Sequence, residues 1–323
     1  MLRRLHARPF LLAVCAALVA ACGGDRAAEP GGADAPGDRP VIGVSLLTTS
    51  NPFFVALGEQ IRATADSAGY DVVITGADQD IGRQQSQMAD FVVQGVAAII
   101  VTPADSRAIG TSIRAANEAG IPVFTADIAS VADDADVVAH IATDNAQAGR
   151  MAATAMVEAL GGSGKVGILD HPEVESVLLR TRGFQDAIRE TAPGITVVAV
   201  LPGGGARDRS FRAAQDMLQA HPDLAGIFAI NDPSALGAVA AIEEAGRTGR
   251  VRVVGVDGLA EGREAIRAGS VYADAVQHPD LIGRRTVEAV VAYLAGEAVE
   301  PVTLIPTSLY RQADARADTS LGE

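Results

Sequence analysis

Apolar runs that alternate with amphipathic helical stretches constrain the fold of this chain more than any other feature. Near-continuous apolar strands between helices are typical of parallel sheets that are covered on both faces. The chain has 323 residues, which is enough for two hydrophobic cores. We therefore expect an α/β protein with two Rossmann-like, doubly wound lobes. The predicted strands are 41–47, 71–75, 97–101, 122–125 and 137–141, followed by 165–169, 196–201, 226–230, 251–256 and 271–276.

A weak internal repeat supports two similar lobes. Residues 95–127 and 223–258 each read as a strand, a turn with proline, a helix and a second strand. Asp127 follows the second strand of the first copy, and Asp257 follows that of the second copy. Ligands bind outside the carboxyl ends of strands in open α/β sheets. We expect both aspartates and Asn231 to meet in a cleft, although either aspartate could instead cap a helix or lie in a solvated loop.

Two adjacent phenylalanines follow the first predicted strand. Asn51 is a good helix N-cap, so both rings fall in the first turn of a helix. Phe54 shares a face with Leu57 and Ile61, which leaves both core packing and ligand contact open. Phe53 lies about 100° away from that face. A flat ring at this position suits the C–H face of a sugar, so we expect Phe53 to contact a ligand.

The N-terminus is typical of a secreted bacterial chain. Residues 1–21 combine a basic start with an apolar run too short to span a membrane, as in a signal peptide. The run ends in "VAAC", which resembles the bacterial lipoprotein cleavage box, in which Cys22 is lipidated. An ordinary cleavage near Ala21 is the alternative. Residues 22–40 are rich in Gly, Pro, Ala and Asp and are predicted to form a lipid-anchored flexible tether.

Charge and motif content exclude several functions. The formal net charge of −14 disfavours nucleic acid as a partner, and it disfavours membrane contact except through the lipid anchor. No Cys follows Cys22, and the His residues have no metal-ligand or catalytic-triad spacing. "GGSGKVG" at 161–167 lacks the Ser or Thr of a phosphate loop. We therefore predict no catalytic residue, no metal and no cofactor.

Eight short segments occur in order along the chain: "SNPFF", "TPADS", "HIATDN", "RTRGF", "AHPD", "AINDPSALGA", "VVGVDG" and "VQHPD". With them the sequence resembles the ribose-type periplasmic sugar-binding proteins, the substrate-capturing components of ABC importers. The resemblance implies a monomer in the periplasm or at the cell surface whose two lobes close over a small neutral carbohydrate or polyol and dock an ABC permease. It implies one lobe at 41–143 plus 278–307 and another at 144–277 plus 308–323.

The resemblance also implies the binding residues. Phe53 and Phe54 would stack on the sugar, Asp127 and Asp257 would accept hydrogen bonds from its hydroxyls, and other side chains would donate. Without the resemblance, Arg180 would be read as a solvated helix residue. The positions that match the family pattern in residue type are Asn51, Phe53, Phe54, Asp127, Arg180, Asn231, Asp257 and Gln277.

Three positions depart from the ribose pattern. Thr102 stands where the pattern has Asn, Ile128 stands where it has Arg, and Gly205 stands where it has an aromatic residue. We count Thr102 and Ile128 among the ligand-binding positions. Ile128 would leave a ligand hydroxyl without a donor, and Gly205 would free volume. These departures predict a bulkier neutral sugar, a polyol or a ligand with an apolar face rather than ribose.

Two other functions remain possible on the same fold. The protein could present its ligand to a sensor kinase or chemoreceptor instead of a permease. It could also be a secreted hydrolase that uses Asp127 and Asp257, although no separate leaving-group acid is apparent. A transcription regulator shares this pair of lobes, but the signal segment and the missing DNA-binding headpiece oppose that function.

Overall fold

The computed structural model describes residues 39–321, and it contains two α/β lobes, as predicted, each built on a six-stranded sheet. The predicted signal peptide at 1–21 and the predicted lipidation site Cys22 lie outside this range. Within the described residues, no helix combines the length and the apolar character needed to cross a bilayer.

The first lobe is built on a sheet with the strand order β11-β5-β4-β3-β1-β2, in which all neighbouring strands are parallel. Its strands are β1 Val41–Leu46, β2 Asp71–Gly76, β3 Ala98–Val101, β4 Val123–Ala126, β5 Ala139–Thr143 and β11 Val302–Ile305. Its helices are α1 Pro52–Ser67, α2 Ile81–Gln94, α3 Gly110–Glu118 and α9 Pro279–Leu294.

The second lobe repeats this arrangement with the strand order β12-β10-β9-β8-β6-β7. Only β12 differs, because it pairs antiparallel with β10. The strands are β6 Ser163–Asp170, β7 Gly194–Pro202, β8 Leu224–Ala229, β9 Arg252–Asp257, β10 Ala273–Val276 and β12 Ser308–Arg311. The helices are α4 Asn145–Leu160, α5 Glu175–Thr191, α6 Arg207–Ala220, α7 Asp232–Glu244, α8 Ala260–Ala268 and α10 Gln312–Ala317.

All ten strands predicted from the apolar pattern are present, but β11 and β12 were not predicted. Each has four residues and is partly exposed at the edge of its sheet, so neither carries a continuous apolar run. The chain passes from one sheet to the other after β5, after β10 and between β11 and β12. Three connections therefore join the lobes.

Helices α1 and α7 begin in the same way at the mouth of the cleft between the lobes. The Asn51 side chain accepts a hydrogen bond from the backbone N–H of Phe53 at 2.9 Å, and Pro occupies the first turn of the helix. Asn231 accepts one from the N–H of Ser234 at 3.0 Å. These caps fix the directions in which both helices leave the carboxyl ends of their strands.

Close contact between α4 and α5 fixes the position of the second lobe's buried arginine. A Cβ atom on Gly149 would lie 2.1 Å from the carbonyl oxygen of Arg180, and one on Gly183 would lie 2.4 Å from that of Ala146. Only glycine permits the two backbones to approach so closely. The helices therefore hold Arg180 at a fixed depth beneath the cleft.

Candidate ligand-binding site

A cavity lies between the two lobes, at the carboxyl ends of their strands, and the empty space between its wall atoms, including space open to solvent, is about 440 Å³. Both lobes contribute to the wall, which contains Leu47, Thr48, Asn51, Phe53, Phe54, Gln79, Asp127 and Ile128 from the first lobe, and His171, Val174, Ser176, Val177, Arg180, Gly204, Gly205, Ile230, Asn231, Asp257 and Gln277 from the second.

The lobes contact each other beside this cavity, so the structure is a closed form. The Gln79 side-chain amide donates to the carbonyl oxygen of Gly204 at 3.1 Å. The Ser106 N–H donates to the carbonyl oxygen of Glu173 at 3.0 Å. The Ser106 hydroxyl accepts from the N–H of Glu175 at 2.9 Å. These bonds connect first-lobe loops to two separate segments of the second lobe.

A hydrogen-bonded chain of second-lobe side chains forms the polar wall. The Arg180 guanidinium donates from Nε to Asn145 at 2.7 Å, from Nη1 to the Ile230 carbonyl at 2.8 Å and from Nη2 to Gln277 Oε1 at 2.8 Å. Gln277 Nε2 then donates to Asp257 Oδ1 at 2.6 Å. The guanidinium has five N–H groups, so two remain for a ligand. The Gln277 amide likewise keeps one N–H.

Asp127 and Asp257 occupy matching positions in the two lobes, as the internal repeat predicted. Asp127 directly follows β4, and Asp257 ends β9. Both have a positive φ, 62° and 117°, which few residues other than glycine adopt. Such backbone strain at paired positions is typical of a site at which side-chain direction is constrained by function.

Burial changes the proton affinity of both carboxyl groups. It raises the pKa of Asp127 to about 6, although the nearby charge of Arg180 acts in the opposite direction. Burial raises the pKa of Asp257 to about 7, again opposed by Arg180 and by the Gln277 hydrogen bond. Asp127 Oδ1 is buried without a hydrogen-bond partner. A donor from a bound ligand would satisfy this oxygen and stabilise the carboxylate.

Phe53 and Phe54 both line the cavity, and both are buried in the hydrophobic core. Their rings meet edge to face, with centroids 5.2 Å apart and planes at 82°. One aromatic face can therefore contact a ligand while the neighbouring ring supports it from the side. For Phe54, core packing and cavity contact turn out to be compatible.

Nine of the ten ligand-binding positions predicted from sequence line the cavity, and Thr102 does not. Its hydroxyl accepts a hydrogen bond from the Leu47 N–H, and its carbonyl accepts one from the side chain of Gln84. Thr102 is fully buried and connects the loops that follow β1 and β3. Its side chain is thus engaged with backbone beneath the site. Gly205 also lines the cavity, and its carbonyl accepts from Asn231 at 3.0 Å.

Sequence reasoning missed several cavity residues, of which Gln79 and His171 are the most polar. His171 follows β6, so the rule that ligands bind at carboxyl ends of strands could have identified it. Burial lowers the pKa of His171 and thereby favours its neutral form, although the charge of Glu173 acts in the opposite direction. Gln79 follows β2 and could have been identified by the same rule, and its side chain reaches Gly204 of the opposite lobe. Val174, Ser176 and Val177 on α5 were also missed.

The charges around the cavity favour a neutral ligand. Arg180 is the cationic side chain of the wall, and two carboxyl groups already surround it. An anionic ligand would therefore meet no uncompensated positive charge. Within residues 39–321, no group of three or more His, Cys, Asp or Glu side chains is arranged to hold a metal ion.

Comparisons with known proteins agree with this geometry. A family model described as a periplasmic binding protein domain matches residues 42–298. The ribose import binding protein RbsB of Salmonella typhimurium is 35% identical over 263 residues, covering 81% of this chain and 87% of the relative. The D-apiose import binding protein of Paraburkholderia graminis is 32% identical, covering 84% of this chain and 88% of the relative.

A solved structure, that of the Caulobacter myo-inositol binding protein with myo-inositol, has a TM-score of 0.82. Its sequence is 26% identical, and the match covers 90% of this chain and 99% of that chain. The matched relatives are solute-binding proteins of ABC importers and not enzymes. The chain therefore belongs to the periplasmic binding protein family and is a substrate-binding protein of the sugar-binding ABC transporter type.

Proposed function

We propose that the protein captures a neutral monosaccharide or polyol in the closed cavity between its lobes. One observation carries the proposal, namely the opposition of an aromatic wall to a hydrogen-bonded polar wall. Phe53 and Phe54 from the first lobe offer ring faces, whereas Arg180, Gln277 and Asp257 from the second offer donors and acceptors. A pyranose, a furanose or a cyclic polyol has a C–H face and a rim of hydroxyl groups, and so matches both walls.

Capture proceeds by hinge closure. The three chain connections at 141–145, 277–278 and 306–309 form the hinge, which joins a lobe of 41–143 plus 278–307 to a lobe of 144–277 plus 308–323. In an open form the bonds from Ser106 and Gln79 to the opposite lobe would be replaced by bonds to water. Ligand contacts made by both lobes would favour the closed form, which an ABC permease then recognises.

The ligand differs from ribose. RbsB of Salmonella typhimurium is named for ribose import, and the Caulobacter protein binds myo-inositol. Ile128 stands directly after the carboxylate of Asp127 and offers no donor. Gly205 brings no aromatic ring into the wall, although a Cβ atom there would lie only 3.1 Å from Asn231 Nδ2. We infer a neutral ligand that is bulkier or less fully hydroxylated along one edge than ribose.

The protein acts as a monomer that a lipid on Cys22 tethers to the membrane, with residues 23–40 as the flexible spacer. The apolar run that ends in "VAAC" supports this assignment. Labelling cells with a fatty-acid analogue tests it. The native chain should become labelled and sediment with membranes, whereas Cys22→Ser should do neither. A labelled Cys22→Ser variant would contradict the assignment.

Thermal shift measurements test the ligand class. The purified protein is unfolded and refolded to remove bound ligand and is then screened against pentoses, hexoses, polyols and nucleosides. A ligand at one hundred times its Kd stabilises the native state by about 2.7 kcal/mol. Asp127→Asn should reduce the shift at a fixed ligand concentration, whereas Asp133→Asn, in an exposed loop, should retain it. A well-folded protein that responds to no sugar or polyol would refute the proposal.

A further inference from the structure

Three apolar side chains of the cavity wall belong to segments that meet where the lobes close. Ile128 comes from the first lobe, and Val174 and Val177 come from the start of α5 in the second lobe. Their exposed fractions are 2%, 1% and 4%, and all three belong to the same hydrophobic cluster. We call this set the apolar edge of the cavity.

Ser106 places the two halves of the apolar edge next to each other. Its carbonyl oxygen accepts a hydrogen bond from the Val131 N–H at 2.8 Å, three residues after Ile128. Its own N–H and hydroxyl bond to Glu173 and Glu175, the neighbours of Val174. The segment that carries Ile128 and the segment that carries Val174 therefore meet at one loop when the lobes are closed.

Helix α5 and the residue before it bring both apolar and polar side chains to the cavity. Val177 and Arg180 are spaced by three residues within the helix, and Val174 stands just before it, at the N-cap position with extended backbone. Arg180 carries the polar network, whereas Val174 and Val177 offer only hydrocarbon. Ser176 also lines the cavity and comes four residues before Arg180, so the two side chains share a side of the helix. A ligand here meets these polar groups and also the hydrocarbon of Val174 and Val177.

A hydroxyl group against the apolar edge would lose its water and gain no partner, because Ile128, Val174 and Val177 carry no polar side-chain atoms. A hydrogen atom or methyl group at the same place would lose nothing and would bury apolar surface. We propose that the physiological ligand is a deoxy sugar, typically a 6-deoxyhexose, and that its methyl group lies against the apolar edge. This inference rests on the proposed function.

Matched pairs of sugars test this inference by calorimetry with the full-length protein. Each hexose is compared with its own 6-deoxy form: D-galactose with D-fucose, D-glucose with 6-deoxy-D-glucose, and L-mannose with L-rhamnose. Any pentose that binds is compared with its 5-deoxy form. In the pair that binds best, we expect the deoxy sugar to bind at least about tenfold more tightly than its hydroxylated partner. A well-fitted apolar pocket can distinguish ligands that differ by a single group to this extent.

The results separate this inference from the proposed function. If sugars bind but the fully hydroxylated member is equal or tighter in every pair, the deoxy assignment is overturned and the proposed function stands. If no sugar or polyol of either kind binds to the folded protein, the proposed function itself is refuted.

A variant pair locates the preference. Val177→Thr keeps the side-chain shape and places a hydroxyl at the apolar edge, so the preference for the deoxy sugar should fall to about twofold or less. Val290→Thr places the same hydroxyl in α9 at a buried position that does not line the cavity. It should leave the ratio of the two affinities unchanged. An unchanged ratio in a folded Val177→Thr protein would overturn the proposed location of the methyl group.

Discussion

Removing the Ser106 hydroxyl should weaken ligand binding by acting on closure alone. Helix α5 has Val174 at its N-cap position, so it has no capping side chain of its own. In the closed structure the Ser106 hydroxyl of the opposite lobe takes this role and accepts the Glu175 N–H at 2.9 Å. The bond exists only when the lobes meet. Ser106→Ala therefore destabilises the closed form and leaves the open form unaffected.

The size of the effect follows from helix capping and from the cost of one hydrogen bond. Loss of an N-cap oxygen costs about 1 kcal/mol. A free energy of that size corresponds to about a fivefold rise in Kd. Ser106 also donates its backbone N–H to Glu173, and this bond survives the substitution. The variant should thus still close, but less tightly.

Calorimetry and stopped-flow kinetics with the best sugar from the panel measure this effect. We expect Kd to rise about fivefold, mainly through faster dissociation, with an unchanged melting temperature of the ligand-free protein. Ser130→Ala is the matched control, because its hydroxyl accepts only a long 3.4 Å bond from Ala132 within the same lobe. If Ser106→Ala binds within twofold of the native protein, or if the control weakens binding equally, the closure argument is refuted.

Three further substitutions or conditions have defined outcomes. Arg180→Met leaves three buried acceptors without their donor. It should abolish sugar binding and lower the free energy of unfolding in urea by about 3–5 kcal/mol, whereas a loss under 1 kcal/mol would contradict the network. The raised pKa of Asp127, about 6, falls when a ligand hydroxyl donates to the carboxylate. Affinity should therefore decrease as pH is lowered from 7.5 to 5, and the part of this decrease that is due to Asp127 should disappear in Asp127→Asn. Gly149→Ala places a Cβ atom 2.1 Å from the Arg180 carbonyl oxygen, so it should cost about 1–3 kcal/mol in urea unfolding; an unchanged midpoint would contradict the close helix contact.

Much of the fold could be predicted because its causes are local. Buried parallel strands read as continuous apolar runs, and the Asn caps of α1 and α7 are visible in sequence. Strands β11 and β12 could not be found in this way. Their positions depend on pairing with strands that are distant along the chain. Strand β12 pairs with β10, more than thirty residues earlier, and β11 pairs with β5, which is much farther away.

The same distinction applies to the residues of the candidate site, because some follow from local sequence patterns and others depend on long-range contacts. Asp127 and Asp257 were predictable, because a repeat in the sequence produced a repeat in the sheet. Arg180 lies on a helix whose pattern suggested a solvated residue, yet it is only 4% exposed. Its burial depends on three partners from separate elements. The side chain of Gln79 bonds to Gly204 of the opposite lobe, and no local pattern encodes that contact.

A crystal structure of the protein with the best ligand from the panel tests the proposed mode of sugar binding. We expect one sugar or polyol in the cavity between closed lobes, with its C–H face on Phe53 or Phe54. Its hydroxyl oxygens should lie within hydrogen-bond distance of Asp127 and of the Arg180 guanidinium. A ligand bound outside this cavity, or one that leaves both Asp127 and Arg180 without a contact, would contradict the account.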